Sequence, residues 1–253
     1  MKVCNIASGS RGNMTYLETN NGKFLIDAGV SIIHAHACLD INLEDIDGIF
    51  ITHEHDDHVK FLDTVAKKTK AVIYIAKESY NNLRKEVKDR LVGCKIAYIE
   101  GESVYKIKDI SLYTFNMSHD AASTFGFIID DGKSKFGYFT DTGIFPTRYK
   151  QYLTGLDILM IEANHNIEML QNSNRPYYLI NRILSPNGHM SNQACYELLH
   201  EVLDDTNKYV LLSHISRDCN SYECLNDEII SRLDGKYQLI VTNQYEPTIV
   251  IEV

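Results

Sequence analysis

Strand-like runs of apolar and β-branched side chains dominate the first third of the chain. Met14–Glu18 and residues 23–27 flank the turn sequence Asn20-Asn21-Gly22, and this arrangement predicts a β-hairpin. Residues 48–52 form a short apolar run of the kind that buried strands use. The elements expected next are a helix over 59–68, a strand over 71–76 and a charged, solvent-facing helix over 78–91.

After residue 110 the pattern resumes with consecutive strands, which are again followed by helices. A helix is expected over 191–202, capped by Ser191 or Asn192, because both side chains accept hydrogen bonds from the first turn of a helix. The strands fall into two halves, each accompanied by helices, which indicates a layered α/β fold. The other elements expected here are strands over 110–115, Phe125–Asp130, 135–140, 158–163, Tyr209–Ser213, 238–242 and 248–252, and a helical region over 167–184.

The composition is that of an ordinary globular protein, with 44% hydrophobic and 23% charged residues among 253. It excludes disordered, collagen-like and coiled-coil chains. No linker, repeat or like-charge block interrupts the sequence, so residues 1–253 are expected to form a single domain. The formal net charge of −9 gives no support to nucleic-acid binding through bulk charge.

The chain also has the features of a cytoplasmic protein with no membrane partner. It lacks the apolar core of a signal peptide, and no run approaches the about 18 apolar residues that span a bilayer. Its six cysteines are scattered without a C-x-x-C pair and are expected to be reduced thiols. A zinc site on Cys219 and Cys224 is a weaker hypothesis because no second pair accompanies them.

The strongest chemical motif follows the buried strand that ends at Thr52. His53, His55 and Asp57 are spaced by two residues, so in extended backbone their side chains project to the same side. A turn into the next helix would bring His58 to the same point. Imidazoles and carboxylates are the ligands of zinc, manganese and iron, so this loop predicts a metal site.

Three further residues share the setting of this motif. His119, Asp141 and His214 each follow an apolar strand and lie in a loop that contains Gly or Ser. Taken alone, each is more often a hydrogen-bonded structural residue than a ligand. The repeated setting predicts that all three join the metal site, and a carboxylate such as Asp141 can bridge two cations.

Together these residues resemble the motifs of the metallo-β-lactamase-fold hydrolases, including an early Asp27 in the segment Phe24-Leu25-Ile26-Asp27-Ala28-Gly29. The resemblance extends to the YycJ/WalJ-like subgroup and spans nearly the whole chain. The motifs that carry it are Ala7-Ser8-Gly9-Ser10 with Gly12-Asn13, Ser118-His119-Asp120-Ala121, Thr140-Asp141-Thr142-Gly143, Glu162-Ala163-Asn164-His165 and Gly188-His189-Met190-Ser191-Asn192.

This resemblance implies a four-layer αββα sandwich with two divalent metal ions, zinc or manganese, at one edge of the sheets. The implied ligands are His53, His55 and His119 for the first ion, Asp57, His58 and His214 for the second, and Asp141 as the bridge. Asp27 would orient the ligand loop without binding metal, and Asp57 is also expected to be essential for turnover.

The resemblance also implies the reaction. Position 141 carries Asp, whereas the commonest zinc β-lactamases carry Cys, and position 55 carries His, whereas the flavodiiron oxidoreductases carry Glu. A metal-dependent phosphodiesterase acting on nucleotidyl phosphodiesters is therefore expected, with DNA exonuclease as the leading activity. The alternatives are a cyclic mononucleotide phosphodiesterase and a metal-stabilised binding module without activity. A homodimer is also considered.

Other residues are weaker candidates for substrate contact. His165 and His189 follow Asn or Gly in polar loops, and one or both could contact the phosphate or protonate the leaving oxygen as catalytic residues. Asn192 and Arg217 are candidate phosphate contacts. A cluster of basic residues could form a track for a nucleic-acid backbone, or simply a solvated helix face: Lys67, Lys68, Lys70, Lys77, Arg84, Lys85, Lys88 and Arg90.

Overall fold

The computed structural model describes residues 1–38 and 45–253, and two seven-stranded mixed sheets form its centre. The first sheet contains, in spatial order, β14 (Ile251–Glu252), β1 (Lys2–Ala7), β2 (Met14–Glu18), β3 (Lys23–Ile26), β4 (Gly48–Phe50), β5 (Val72–Ala76) and β6 (Lys95–Ile99). The second contains β13 (Gln238–Val241), β12 (Tyr209–Ser213), β11 (Ile158–Glu162), β10 (Lys135–Phe139), β9 (Phe125–Asp130), β8 (Ile110–Asn116) and β7 (Val104–Ile107).

Helices cover the outer faces of both sheets. The α-helices among the described residues are α1 (Ile32–Cys38), α2 (Asp56–Val59), α3 (Leu62–Thr69), α4 (Lys77–Asn82), α5 (Lys85–Arg90), α6 (Ile167–Gln171), α7 (Tyr177–Leu184), α8 (Asn192–Val202) and α9 (Tyr222–Glu228). Short 3-10 helices span Thr147–Tyr152 and Ile230–Arg232.

Each sheet has an antiparallel half and a parallel half. In the first sheet, β14 to β3 pair antiparallel and β3 to β6 pair parallel. In the second sheet, β7 to β10 pair antiparallel and β10 to β13 pair parallel. Parallel strands end at the same edge of a sheet, so the loops that follow them lie close together there.

An aromatic core joins the two sheets. Phe24 and Phe50 from the first sheet pack among Phe127, Phe136 and Tyr138 from the second, and all five side chains are fully buried. Burying one such side chain stabilises the fold by about 1.5–3 kcal/mol. The two sheets therefore form the inner layers of the sandwich.

The outer layers have separate apolar cores. Leu62 and Val65 of α3 pack on the first sheet beside Ile73, and Leu198 and Leu199 of α8 pack on the second. The order helix, sheet, sheet, helix confirms the predicted αββα sandwich. That residues 1–253 form a single domain stays a prediction.

The predicted hairpin and the helix cap are present. β2 and β3 pair antiparallel around the turn at Asn20-Asn21-Gly22. Of the two capping candidates, Ser191 caps α8, since its side chain accepts a hydrogen bond from the backbone N–H of Ala194.

Three predicted helices are wrong in extent, because non-helical residues divide each predicted range between two helices. The region 78–91 is two helices, α4 and α5, separated by extended backbone at Leu83 and Arg84. Leu83 is only 2% exposed, and this break lets it pack in the outer core of the first sheet. The region 167–184 is likewise split into α6 and α7 before Pro176, because proline lacks the N–H that a helix interior requires. The region 59–68 contains the last residue of α2 and most of α3, and residues 60–61 separate the two helices.

The sequence patterns did not predict several elements, and they overestimated the length of one strand. β1, β6, β7, α1 and α9 were not predicted, while β14 covers only Ile251–Glu252 of the expected 248–252. No disulfide joins Cys94, Cys195, Cys219 or Cys224 in the part of the chain that the structure describes. Within residues 1–38 and 45–253, no helix combines the length and the apolar character needed to cross a membrane.

Candidate metal centre

The predicted ligand residues follow strands that end at one edge of the sandwich. Asp27 and His214 come directly after β3 and β12, and Asp141 is the second residue after β10; all three have left-handed backbone, with φ of 62° at Asp27, 54° at Asp141 and 52° at His214. Non-glycine residues in this region cost about 1 kcal/mol or more and persist where the surroundings fix them. All three side chains are almost completely buried, and they share polar contacts: Asp27 and Asp141 both contact His58, and His214 contacts Asp141.

The first group of candidate ligands consists of His53, His55 and His119. One ring nitrogen from each lies within 4.8 Å of the others. His119 Nε2 is 3.2 Å from His55 Nδ1. His53 Nε2 is buried and has no hydrogen-bond partner among the described residues, which leaves its lone pair available to a metal ion.

The second group consists of Asp57, His58, Asp141 and His214, again with ligand atoms within 4.8 Å of one another. His58 Nε2 is 3.1 Å from Asp141 Oδ2, and His214 Nε2 is 3.4 Å from Asp57 Oδ2 and 3.5 Å from Asp141 Oδ1. Two ligand atoms at 2.0–2.1 Å from a tetrahedral zinc ion lie about 3.3 Å apart. Both groups therefore have the atom types and spacing of a metal site.

In three of the candidate ligand histidines, the other ring nitrogen is fixed by a second contact. His58 Nδ1 is 2.7 Å from Asp27 Oδ2, so Asp27 lies where it can orient this ring. His119 Nδ1 is 3.1 Å from the carbonyl oxygen of Gly188, and His214 Nδ1 is 3.0 Å from Glu162 Oε1. An N–H donated to such acceptors leaves the opposite nitrogen unprotonated and directed at the metal position.

Glu162 is the most important residue that the sequence reasoning missed. It ends β11 and is fully buried, and its Oε1 accepts hydrogen bonds from both His189 Nδ1 (2.7 Å) and His214 Nδ1 (3.0 Å). Its Oε2 accepts from the backbone N–H groups of Thr142 and Met190. Burial disfavours the charge on Glu162, but His189 and His214 outweigh burial and lower its pKa to about 2. The sequence did contain a signal for this residue, because Glu162 is a charged side chain at the end of the otherwise apolar strand β11.

The cluster is strongly anionic. Burial raises the pKa of Asp57, but His58 and His214 outweigh it and hold that pKa well below its usual range. Burial likewise opposes protonation of His58 and His214, yet the surrounding carboxylates raise the pKa of both rings well above the usual value. A field that favours protons on imidazole also favours a cation in their place.

Comparison with known proteins assigns the family. The profile of the β-lactamase superfamily domain matches residues 23–215. The chain belongs to the β-lactamase superfamily. It is 32% identical to an exodeoxyribonuclease YycJ of Bacillus anthracis over 91% of this chain and 88% of that protein. It is 34% identical to an exodeoxyribonuclease WalJ of Streptococcus pneumoniae serotype 2 over 90% and 86% of the two chains.

Solved structures show the same fold. The metallo-β-lactamase fold protein YhfI from Bacillus subtilis superposes with a TM-score of 0.73 at 14% identity, over 98% of both chains. The predicted resemblance to the YycJ/WalJ-like subgroup is therefore confirmed. The chain is a metal-dependent hydrolase of the metallo-β-lactamase fold.

His189 lies at the edge of the candidate metal centre. Its side chain is 16% exposed, its Nδ1 is 3.7 Å from Asp141 Oδ1, and its ring stacks on His214 at a centroid distance of 5.1 Å. Glu162, Asp141, His189 and His214 also bring ligand atoms within 4.8 Å of one another. The structure therefore brings His189 to the site, as the sequence suggested.

His165 and Asn192 are not accessible to a substrate. His165 is 1% exposed, and its Nδ1 is 3.3 Å from Asn164 Oδ1. Burial lowers the pKa of His165 to about 4, so the ring is neutral at pH 7 and has no proton to spare for a leaving group. Asn192 is fully buried and donates to Asn220 Oδ1 (3.0 Å) and to Glu228, so it is a structural residue.

Arg217 and the predicted basic residues lie on separate parts of the surface. Arg217 is exposed, but its Nη1 donates to the hydroxyl of Tyr245 at 2.8 Å. Lys67 and Lys70 lie beside Lys95, where β5 and β6 begin, which is the edge opposite the ligand loops. Arg84, in contrast, binds Asp56 within the ligand loop. The basic residues therefore do not form one continuous track.

Proposed function

We propose that this hydrolase is a dinuclear phosphodiesterase that degrades DNA as an exonuclease. The observation that carries the proposal is the pair of adjacent ligand groups with Asp141 between them. Asp141 Oδ1 is 3.9 Å from His119 Nε2 in the first group, and Oδ2 is 3.1 Å from His58 Nε2 in the second. A carboxylate shared in this way suits two divalent ions, zinc or manganese, and structural zinc sites are instead closed four-ligand cages.

The charge of the site supports two ions. Four carboxylates surround the imidazoles, and their formal charge of −4 equals the charge that two divalent cations would neutralise: Asp27, Asp57, Asp141 and Glu162. Without that compensation, an anionic phosphodiester would be repelled. When bound, the ions would supply an activated water and a clamp for the phosphate oxygens.

His189 is the candidate for proton transfer to the leaving oxygen. Glu162 Oε1 lies 2.7 Å from its Nδ1 and fixes the orientation of the ring beside the two ligand groups. A proton on the opposite nitrogen, Nε2, would pass to the leaving oxygen as the bond between that oxygen and phosphorus breaks. Asp57 is proposed to be essential as a ligand of the second ion, whereas burial and the lowered pKa of His165 argue against that residue as the acid.

The names of the relatives favour DNA as the substrate. Both YycJ of B. anthracis and WalJ of S. pneumoniae are exodeoxyribonucleases, and this chain matches at least 86% of their length. One observation favours a smaller substrate: the basic residues are divided between opposite edges of the first sheet. Cyclic mononucleotide hydrolysis is therefore the second candidate function.

A substrate panel tests the proposal. The purified protein is loaded with zinc or manganese and given bis-p-nitrophenyl phosphate, linear and circular DNA, RNA and 3′,5′-cyclic mononucleotides. We expect release of mononucleotides from linear DNA and none from circular DNA. Asp141→Ala, prepared identically, controls for contaminating nucleases. Faster turnover of cyclic mononucleotides than of DNA would favour the second candidate. Stoichiometric metal without turnover of any phosphodiester would identify a binding module.

A further inference from the structure

Two large aromatic side chains stand exposed at the start of α7. Tyr177 is 78% exposed and Tyr178 is 75% exposed, although the opposite side of the same helix is buried through Ile180 and Ile183. Tyr178 and Arg182 are four residues apart, so they are neighbours on one side of the helix. We call the exposed surface formed by Tyr178, Asn181 and Arg182 the α7 face.

The α7 face leads directly to the metal centre. Arg182 binds Asp120 through both Nε and Nη2, the latter at 3.0 Å, and Asp120 Oδ1 lies 3.4 Å from the ligand atom His119 Nε2. Beyond the helix, the carbonyl oxygen of Pro186 accepts a hydrogen bond from Ser118 at 2.9 Å. The end of α7 is thus tied to the loop that carries His119, and a chain leaving the centre can run along this face.

The charge of this segment differs from that of the rest of the protein. The chain has 34 acidic residues, yet none lies between Glu168 and Glu197, a stretch that contains Arg175, Arg182 and all of α7. The segment itself carries no fixed negative charge, and the acidic side chains that reach its two arginines, Asp120 at Arg182 and Asp218 at Arg175, come from other loops. Exposed rings beside arginine, without acidic neighbours in the helix, are the elements of a single-strand binding surface.

We propose that the α7 face binds single-stranded DNA as it extends from the metal centre. Tyr178 stacks on a base, and Arg182 contacts a phosphate beside that base. A single strand is the occupant because the faces of its bases are open to an aromatic ring, whereas those of a duplex are covered by neighbouring base pairs. This inference rests on the proposed nuclease function, which supplies the substrate.

A single fluorophore can test the stacking directly, because the chain contains no tryptophan. Tyr178→Trp loaded with zinc is titrated with a phosphorothioate-linked dT10, whose linkages resist cleavage. We expect saturable quenching of tryptophan fluorescence that weakens as salt is raised, since phosphate contacts release counterions. Tyr152→Trp is the matched control. Tyr152 is 48% exposed and packs on Phe115 beside Lys135 on the second sheet, so it is an exposed ring outside the α7 face.

Absence of quenching in Tyr178→Trp, equal quenching in Tyr152→Trp, or equal quenching by a blunt duplex would each overturn the inference. A kinetic arm uses the loaded enzyme and compares dT10 with a dinucleotide. Tyr178→Ala should raise KM for dT10 at least about fivefold relative to KM for the dinucleotide, the lower end of one base–aromatic stack. Tyr178→Phe keeps the ring and should restore the wild-type ratio.

The two proposals fail in different ways. Wild-type protein that hydrolyses DNA and bis-p-nitrophenyl phosphate, while Tyr178→Trp shows no quenching, would refute the α7 face and leave the nuclease function intact. Wild-type protein that hydrolyses no phosphodiester would refute the nuclease function, whatever the fluorescence shows.

Discussion

Replacing Glu162 by glutamine removes the carboxylate that joins His189 to His214. Four donors point at this side chain, two imidazoles at Oε1 and two backbone N–H groups at Oε2. Glutamine accepts through only one of its two terminal atoms, so at least two hydrogen bonds are lost. At about 1.5 kcal/mol each, Glu162→Gln should lower the free energy of unfolding by about 3 kcal/mol. The pKa of about 2, against an ordinary 4.5, corresponds to a similar energy.

The same substitution should impair turnover. Losing an acceptor that orients a metal-bound histidine typically costs about 10- to 100-fold in activity or metal affinity. Unfolding in urea with EDTA measures stability, bis-p-nitrophenyl phosphate measures kcat, and elemental analysis measures metal content. Glu168→Gln is the matched control, since Glu168 is exposed on the next helix.

A double-mutant cycle separates orientation from general damage. If Glu162 acts on catalysis through His189, then Glu162→Gln should cost much less kcat in a His189→Ala background than in the wild type. A free energy of unfolding for Glu162→Gln within about 0.5 kcal/mol of wild type would refute the structural role of this carboxylate. Full additivity of the two kcat losses at unchanged metal content would refute its action through His189.

Three further substitutions test the centre and its surroundings. Asp141→Ala should abolish turnover and lower metal content while circular dichroism still reports a folded chain; a wild-type rate would refute the shared-ligand role. His165 has a pKa of about 4 when folded and about 6.5 when unfolded, so stability is lost as pH falls through this window. From pH 7 to 5, wild type should lose about 2 kcal/mol more than His165→Phe in urea unfolding, and equal losses would contradict the burial argument. Asn192→Ala should lower stability by about 2 kcal/mol through the unpaired Asn220 and Glu228, with KM within twofold; a large rise in KM would restore Asn192 as a substrate contact.

The sequence by itself determined the local features of this protein. The turn at Asn20-Asn21-Gly22 and the start of α8 depend on residues that are neighbours along the chain, so local patterns predicted both, although they left the cap open between Ser191 and Asn192. The clustering of His53, His55, Asp57 and His58 in one loop was also predictable, because they are closely spaced after a buried strand, and that they bind metal stays a prediction.

Only the tertiary structure decided the long-range features. The partners of Glu162 lie 27 and 52 residues further along the chain, and no local pattern distinguishes a carboxylate that reaches them from one that faces solvent. Asn192 illustrates the converse, since it was a candidate phosphate contact on the sequence alone, whereas packing buries it against Asn220. The α7 face likewise acquires a role only because the fold ties Arg182 to the loop of His119. Spacing along the chain identifies candidate functional residues, and the packing of the two sheets determines which of them come into contact.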